Sequence, residues 1–238
     1  MAEIASRNSS RGRGLLAVGF AVALFCLVVG GKWATIDRFG SDMPNWDQWD
    51  AEGLHLLIPW FDGDRFVEHL FHPHNEHRVV LTKLQSLALV LLSGQWDARL
   101  QCVTNAALHA TLAVAFWWLG CRWAIARWHA PLFVLTAALF GLPLAWENIL
   151  GGFHSQQYWL LLLSFAAIIT LPFARPRSGQ WWIGAIAAIL ALGSMASGFV
   201  AAAVVALLSI FRVLRAETRL RDAAPTLLLT VLLVAAGL

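Results

Sequence analysis

Charge is scarce in this sequence: Asp, Glu, Lys and Arg make up 13% of its 238 residues, against 59% hydrophobic residues. A soluble domain carries about 25% charge, so a water-soluble globular fold is excluded and the composition is that of an integral membrane protein. Tyrosine is nearly missing, with one residue against thirteen tryptophans; indole suits helix ends that rest at lipid headgroups. Cysteine is sparse too. Cys26, Cys102 and Cys121 lie in or beside apolar runs, where they read as small buried hydrophobes rather than a disulfide framework or a zinc site. No G-x-G-x-x-G and no P-loop pattern occurs, so no nucleotide site is read. In a membrane chain the formal charge of +3 records orientation, and no nucleic-acid partner follows from it.

What is present is a series of apolar segments around one polar stretch. The first segment, 15–31, follows Arg7, Arg11 and Arg13. No small-residue cleavage site comes after it, so it is expected to be an uncleaved spanning helix with a cytoplasmic N-terminus. Residues 32–101 are then expected outside, with 79–94 as an amphipathic juxtamembrane helix. That run is shorter than the roughly 20 residues a crossing needs and contains Lys83 and Gln85. Leaving it outside also puts the later basic clusters, Arg122 and Arg127, Arg175 and Arg177, and Arg212 to Arg221, on the cytoplasmic side together. Further spans are expected over 102–120, 131–146, 158–173, 181–192 and 199–211. The run 225–238 has the composition of a span and stops short of a full crossing, which reads as truncation at the C-terminus. The expected fold is all-α: a single polytopic transmembrane helical bundle over 1–238, its last span incomplete.

Most of the acids and five histidines fall between Ser41 and Arg78. Asp47 and Asp50, in NWDQWD, have the spacing that places two carboxylates on one helical face, where a pair can hold a cation or take a proton from a hydroxyl. They are the candidate catalytic residues. The segment FHPHNEHR supplies His74, Glu76, His77 and Arg78, followed by Lys83. Its H-x-H-x-x-H order lacks a fixed zinc spacing, so no metal ligands are assigned, although a divalent cation remains a candidate cofactor. Arg78 and Lys83 are candidates for pairing with a phosphate. Trp146, Glu147, Asn148, His154 and Gln156 form a second polar set in which aromatic faces stand beside amide and carboxylate groups, the kind of surface that binds sugars.

An uncleaved first helix, an acidic outer loop, a juxtamembrane helix and many later spans together resemble the GT-C superfamily of membrane glycosyltransferases, which includes lipid A aminoarabinose transferases and protein O-mannosyltransferases. PNWDQWDAEG stands where those enzymes carry a first-loop acidic motif. FHPHNEHRVVLTKL stands where they carry a His-Pro or Lys-Pro segment, DARLQ resembles the start of their second span, and GSMASG resembles their small-residue turn. NWDQWD, HNEHR and WENILGGF together are similar to a group of bacterial membrane proteins placed near that superfamily. The acids here are spaced D-x-x-D, where the family has adjacent or alternate acids, so the resemblance does not choose between Asp47 and Asp50.

The resemblance implies a GT-C-like bundle in the bacterial cytoplasmic (inner) membrane, its active face extracytoplasmic and its substrate a lipid-linked sugar donor, a polyprenyl-phosphate sugar. The sugar would pass to a cell-envelope glycan, lipid or protein. A non-enzymatic reading, a transporter or an envelope-assembly scaffold using the same polar loop, stands beside it. Either way the lipid bilayer is a partner.

The orientation is testable on a chain whose three cysteines are replaced by alanine. An impermeant thiol reagent applied to intact cells is expected to label Asp47→Cys and to spare Arg219→Cys. Labelling of Arg219→Cys alone overturns the topology.

Overall fold

The computed structural model describes residues 2–237, with side chains from Gly14 onward; the side chains of Arg7, Arg11 and Arg13, the basic flank, lie outside the described residues. The chain is all-helical, with no strand among the described residues. Among the described residues three helices are long and apolar enough to cross a bilayer: α1 (Ala2–Phe39), of which Gly14–Phe39 qualifies, α5 (Ala98–Trp123) and α11 (Leu220–Gly237). Between them lie a π-helix (Trp49–Leu57), α2 (Ile58–Phe61), α3 (Phe66–Phe71), α4 (Val80–Ser93), α6 (His129–Gly141), α7 (Trp146–Leu150), α8 (Ser155–Thr170), α9 (Gly179–Ser194) and α10 (Gly198–Leu214).

Several boundaries differ from the sequence expectation. The first helix continues past Gly31 to Phe39, because nothing in Lys32–Arg38 breaks a helix. The last helix starts at Leu220 and carries Pro225 inside it, where the proline removes one i→i−4 hydrogen bond without ending the helix; its 18 residues exceed the fourteen expected from hydropathy. The segments expected as further spans are shorter than a full crossing in α6, α8, α9 and α10, at 13, 16, 16 and 17 residues.

The chain divides into two compact units, Met1–Ser41 with Cys102–Gly151, and Asp42–Gln101 with Gly152–Leu238. In the first, α1 packs on α6 and α7, and on α5 through a core of Leu24, Val28, Ala110, Ala113 and Trp117. Gly31 lets α1 approach α6 closely, since a Cβ there would strike the Gly141 carbonyl.

In the second unit α8, α9, α10 and α11 surround an alanine-rich core that includes Ala167, Ala185, Ala188, Ala202 and Val205. Small side chains permit this close packing between membrane helices. Gly184 is the tightest point, where a Cβ would meet Thr170 and Leu171. Across this core the Trp181 indole donates to Thr226 Oγ1 at 2.9 Å. The α4 helix runs close to the span expected for it, capped by Gly94 in the left-handed conformation (φ 75°). It turns Thr82, Lys83 and Ser86 inward together with Leu87 and Val90 and leaves Leu84, Leu91 and Leu92 exposed, an apolar outer face suited to a lipid boundary. Hydrogen bonds from Ser155 Oγ to Thr82 (2.7 Å) and from Trp159 Nε1 to Gln85 (2.8 Å) tie it to α8.

Gly184→Leu is expected to destabilise the purified chain by roughly 3 kcal/mol through overpacking, read as a lower thermal midpoint in detergent. Gly193→Leu, which enters open space, leaves the midpoint in place. Equal midpoints for the two variants contradict the α8–α9 packing.

Candidate active site

Two strained turns and one unusual helix arrange the polar loop. Trp46 is left-handed (φ 47°) and largely exposed, and presents Asp47 at the start of the helical stretch. From Trp49 the winding is π, with i→i+5 hydrogen bonds, a form concentrated at functional sites. That winding stacks residues five apart. It brings His55 Nε2 to 3.6 Å from Asp50 Oδ1, a pairing that α-helical spacing would not give. The FHPHNEHR segment closes in a tight turn in which His74 and His77 exchange backbone hydrogen bonds at 2.7 and 2.9 Å. Asn75 (φ 50°) supplies the left-handed residue, which asparagine tolerates. Val79 (φ 45°) is also left-handed, an outlier for a β-branched residue. Its side chain is fully buried with Ala51 and Phe153, a contact that holds the strain.

The turn places His74 between the two candidate aspartates. His74 Nδ1 lies 3.0 Å from Asp50 Oδ2, and Nε2 lies 3.4 Å from Asp47 Oδ2. The ring is 7% exposed, and its Nε2 has no hydrogen-bond partner among the described residues. The Asp47 contact is thus a close approach without hydrogen-bond alignment. In the tautomer that donates Nδ1–H to Asp50, Nε2 is unprotonated and faces the Asp47 carboxylate. At 3.4 Å no atom fits between the two and Nε2 is sealed from solvent, so a hydroxyl reaches the pair from the exposed side of Asp47. Asp47 and Asp50 remain more than half exposed (58% and 53% of their side chains), so solvent and substrate reach them. Phe153, from WENILGGF, packs edge-on against the His74 ring at 5.2 Å.

Lys83 does something other than expected. It is fully buried, and its ammonium donates to the His69 and His72 carbonyls at 2.8 and 2.9 Å. Burial pushes its pKa down to about 8, with the Asp50 charge opposing. It braces the loop from beneath and is not the surface cation that the sequence suggested; a stem anchored on the inner face of α4 cannot also reach an exposed phosphate. Arg78 is exposed and donates to the Phe71 carbonyl at 3.3 Å. Glu76 is exposed near His77 Nε2 (3.9 Å), and His77 Nδ1 accepts the Ala196 amide of the GSMASG turn at 3.3 Å. His55 and His72 stack at 3.9 Å. The His55 pKa is lowered by burial, then by the positive charges of His72, Lys83 and His69, while Asp50 opposes. Among the described residues no set of three or more His, Cys, Asp or Glu side chains is placed to hold a metal ion.

The second polar set does not stay together as one unit. Trp146 and Glu147, both exposed, and the half-buried Asn148 sit on α7 in the first unit. His154 and Gln156 belong to the second, where Gln156 is buried and its Oε1 lacks a hydrogen-bond partner. Sequence reasoning passed over Glu52, Gln48, Ser86, Trp96 and Gln101. Glu52 is fully buried beneath the π-helix, and its Oε2 accepts from Ser86 Oγ (2.7 Å), Gln101 Nε2 (2.7 Å) and Trp96 Nε1 (3.0 Å). Gln48 Nε2 donates to Gln101 Oε1 at 2.5 Å, and Gly152 leaves room for this amide pair, which a Cβ would strike. Burial raises the Glu52 pKa, opposed by these hydrogen bonds. The available signal was a third acid, Glu52, directly after NWDQWD.

No family model, curated protein or solved structure matches the chain.

In the folded chain Glu52 keeps its proton above the pH at which the unfolded carboxyl loses it. Its contribution to stability is therefore complete below the ordinary value of 4.5 and is lost as pH rises through the folded value. Thermal midpoints are expected to fall with rising pH more steeply in the natural chain than in Glu52→Gln, whose amide oxygen accepts the same three donors. Parallel slopes contradict a protonated Glu52. Glu52→Ala, which orphans those donors, costs roughly 3 kcal/mol or more.

Proposed function

We propose that this chain is a polytopic, GT-C-like membrane glycosyltransferase. It moves a sugar from a polyprenyl-phosphate donor to a hydroxyl of an extracytoplasmic acceptor at the Asp47–His74–Asp50 site. The observation that carries the reading is the exposed Asp47 carboxylate, whose Oδ2 lies 3.4 Å from the buried His74 Nε2, with the imidazole held in place by Asp50 behind the ring. An acceptor hydroxyl arriving on the exposed side of Asp47 donates its hydrogen bond to that carboxylate. As its oxygen attacks the anomeric carbon, the bond from that carbon to the phosphate oxygen breaks. The electron pair leaves with the polyprenyl phosphate, the configuration inverts, and the hydroxyl proton passes to the Asp47 carboxylate. His74 Nε2 lies behind that carboxylate, 3.4 Å from its Oδ2, to share the proton once Asp47 has taken it, with its ring orientation fixed through Nδ1 and Asp50 as in other carboxylate–imidazole pairs. A phosphate leaves without a strong acid. Its charge is met by Arg78, exposed on the same loop.

Two features support this reading. Helices long and apolar enough to cross a bilayer and the apolar outer face of α4 suit a chain that works on a lipid-linked donor. The buried Lys83 and Glu52 hold the π-helix and the histidine turn rigid, as an aligned reaction requires.

The test compares envelope glycans and polyprenyl-phosphate sugars by mass spectrometry, with and without the gene. Loss of one glycan with build-up of one lipid-linked sugar is expected. Complementation with Asp47→Asn should restore transfer at a rate lower by roughly 10² to 10⁴, His74→Gln should fall nearly as far, and Asp50→Asn should fall less, since an amide oxygen still accepts from Nδ1–H. Full transfer by both Asp47→Asn and His74→Gln contradicts the site and favours a binding or scaffold role for the loop.

A further inference from the structure

The second unit has a second polar end, built from arginine. The α8–α9 connection carries Arg175 and Arg177; Arg212 stands in the last turn of α10, Arg215 and Arg219 in the connection that follows, and Arg221 in the first turn of α11. The two connections meet where Arg212 Nη1 donates to the Pro172 carbonyl and its guanidinium lies over the Phe173 ring at 5.1 Å. Between them is a cavity of about 430 Å³ whose polar lining includes Arg175, Arg212, Ser209, Thr218 and Thr226. Acids are present but taken. Glu217 is paired with Arg212 and Arg215 at 3.2 and 3.4 Å, and Asp222, on the cavity wall, with Arg221 at 3.7 Å. Arg175 is exposed and has no ion-pair partner among the described residues.

We infer that this cavity binds the phosphate headgroup of an anionic phospholipid. Guanidinium forks and hydroxyl donors are the chemistry that recognises a phosphodiester, and basic pockets between membrane helices hold such headgroups. A lipid fits better than a free anion because the arginines share their end of the unit with exposed apolar side chains. Phe173, Phe211, Leu214 and Leu220 are 54%, 54%, 79% and 63% exposed, a collar that acyl chains cover and water does not. The positive-inside bias assigns this end to the cytoplasmic leaflet. The inference does not depend on the transferase reading, because its residues are separate from the Asp47–His74–Asp50 site.

Native mass spectrometry of the full chain in detergent, titrated with dioleoyl phosphatidylglycerol or dioleoyl phosphatidylcholine, tests it. Retention of phosphatidylglycerol over phosphatidylcholine is expected, with affinity lower by roughly fivefold in Arg175→Gln and lower still in the double variant with Arg212→Gln. Because Arg212 also braces the loops, Arg175→Gln carries the test alone if the double variant fails to fold. Arg127→Gln, an exposed arginine of the first unit, should bind as the natural chain does. Equal retention of the two lipids, or no change in Arg175→Gln, overturns the inference. Displacement of the lipid by millimolar inorganic phosphate makes the site one for a free anion and overturns the lipid assignment.

Discussion

An ammonium taken out of water must find acceptors, and in this protein Lys83 finds them in the main chain of its own loop. Its two hydrogen bonds to the His69 and His72 carbonyls pin the segment that leads into the histidine turn. From that anchoring follow the stacking of His72 on His55, the approach of His55 to Asp50 across the π-helix, and the insertion of His74 between the aspartates. Glu52 does the same work from the other side. It is buried under the π-helix, and its oxygen gathers three donors from α4, the α4–α5 connection and the start of α5. A loop rich in polar groups is normally mobile. This one is held by two buried ionisable groups whose satisfaction depends on its shape.

The second unit is polar at both ends and apolar between them. At one end the His77 ring reaches the α9–α10 turn through Ala196, and the acids and histidines gather. At the other, six arginines outnumber the acids around the cavity. Such asymmetry orients a helical unit in a bilayer. It also separates two sets of side chains, carboxylates with imidazoles at one end and guanidiniums at the other.

Much of this was legible in the sequence because the informative residues are rare against an apolar background. Gathered acids and histidines marked the loop, and the apolar run ending at Gly94 marked α4 to within a residue at each end. Other features were hidden for physical reasons. The π winding that pairs Asp50 with His55 leaves no trace in an α-helical reading. Gln48 and Gln101 are far apart in sequence and meet only through the fold. The direction of Lys83 depends on which face of α4 is buried, and that face combines Thr82, Lys83 and Ser86 with Leu87 and Val90, so hydropathy alone does not mark it. WENILGGF was read for Trp146, Glu147 and Asn148, yet Gly152 and Phe153 are the residues that pack beneath the loop, through size and shape rather than polarity.

The account rests on His74 being held through Nδ1 by Asp50, with Nε2 turned toward Asp47. Nitrogen-15 NMR of the histidine-labelled chain measures this directly. A downfield, exchange-protected Nδ1–H resonance for His74 is predicted, and it should disappear in Asp50→Ala while the other histidine signals keep their positions. A His74 ring protonated at Nε2 with no Nδ1–H signal, or one indifferent to Asp50→Ala, would contradict the account.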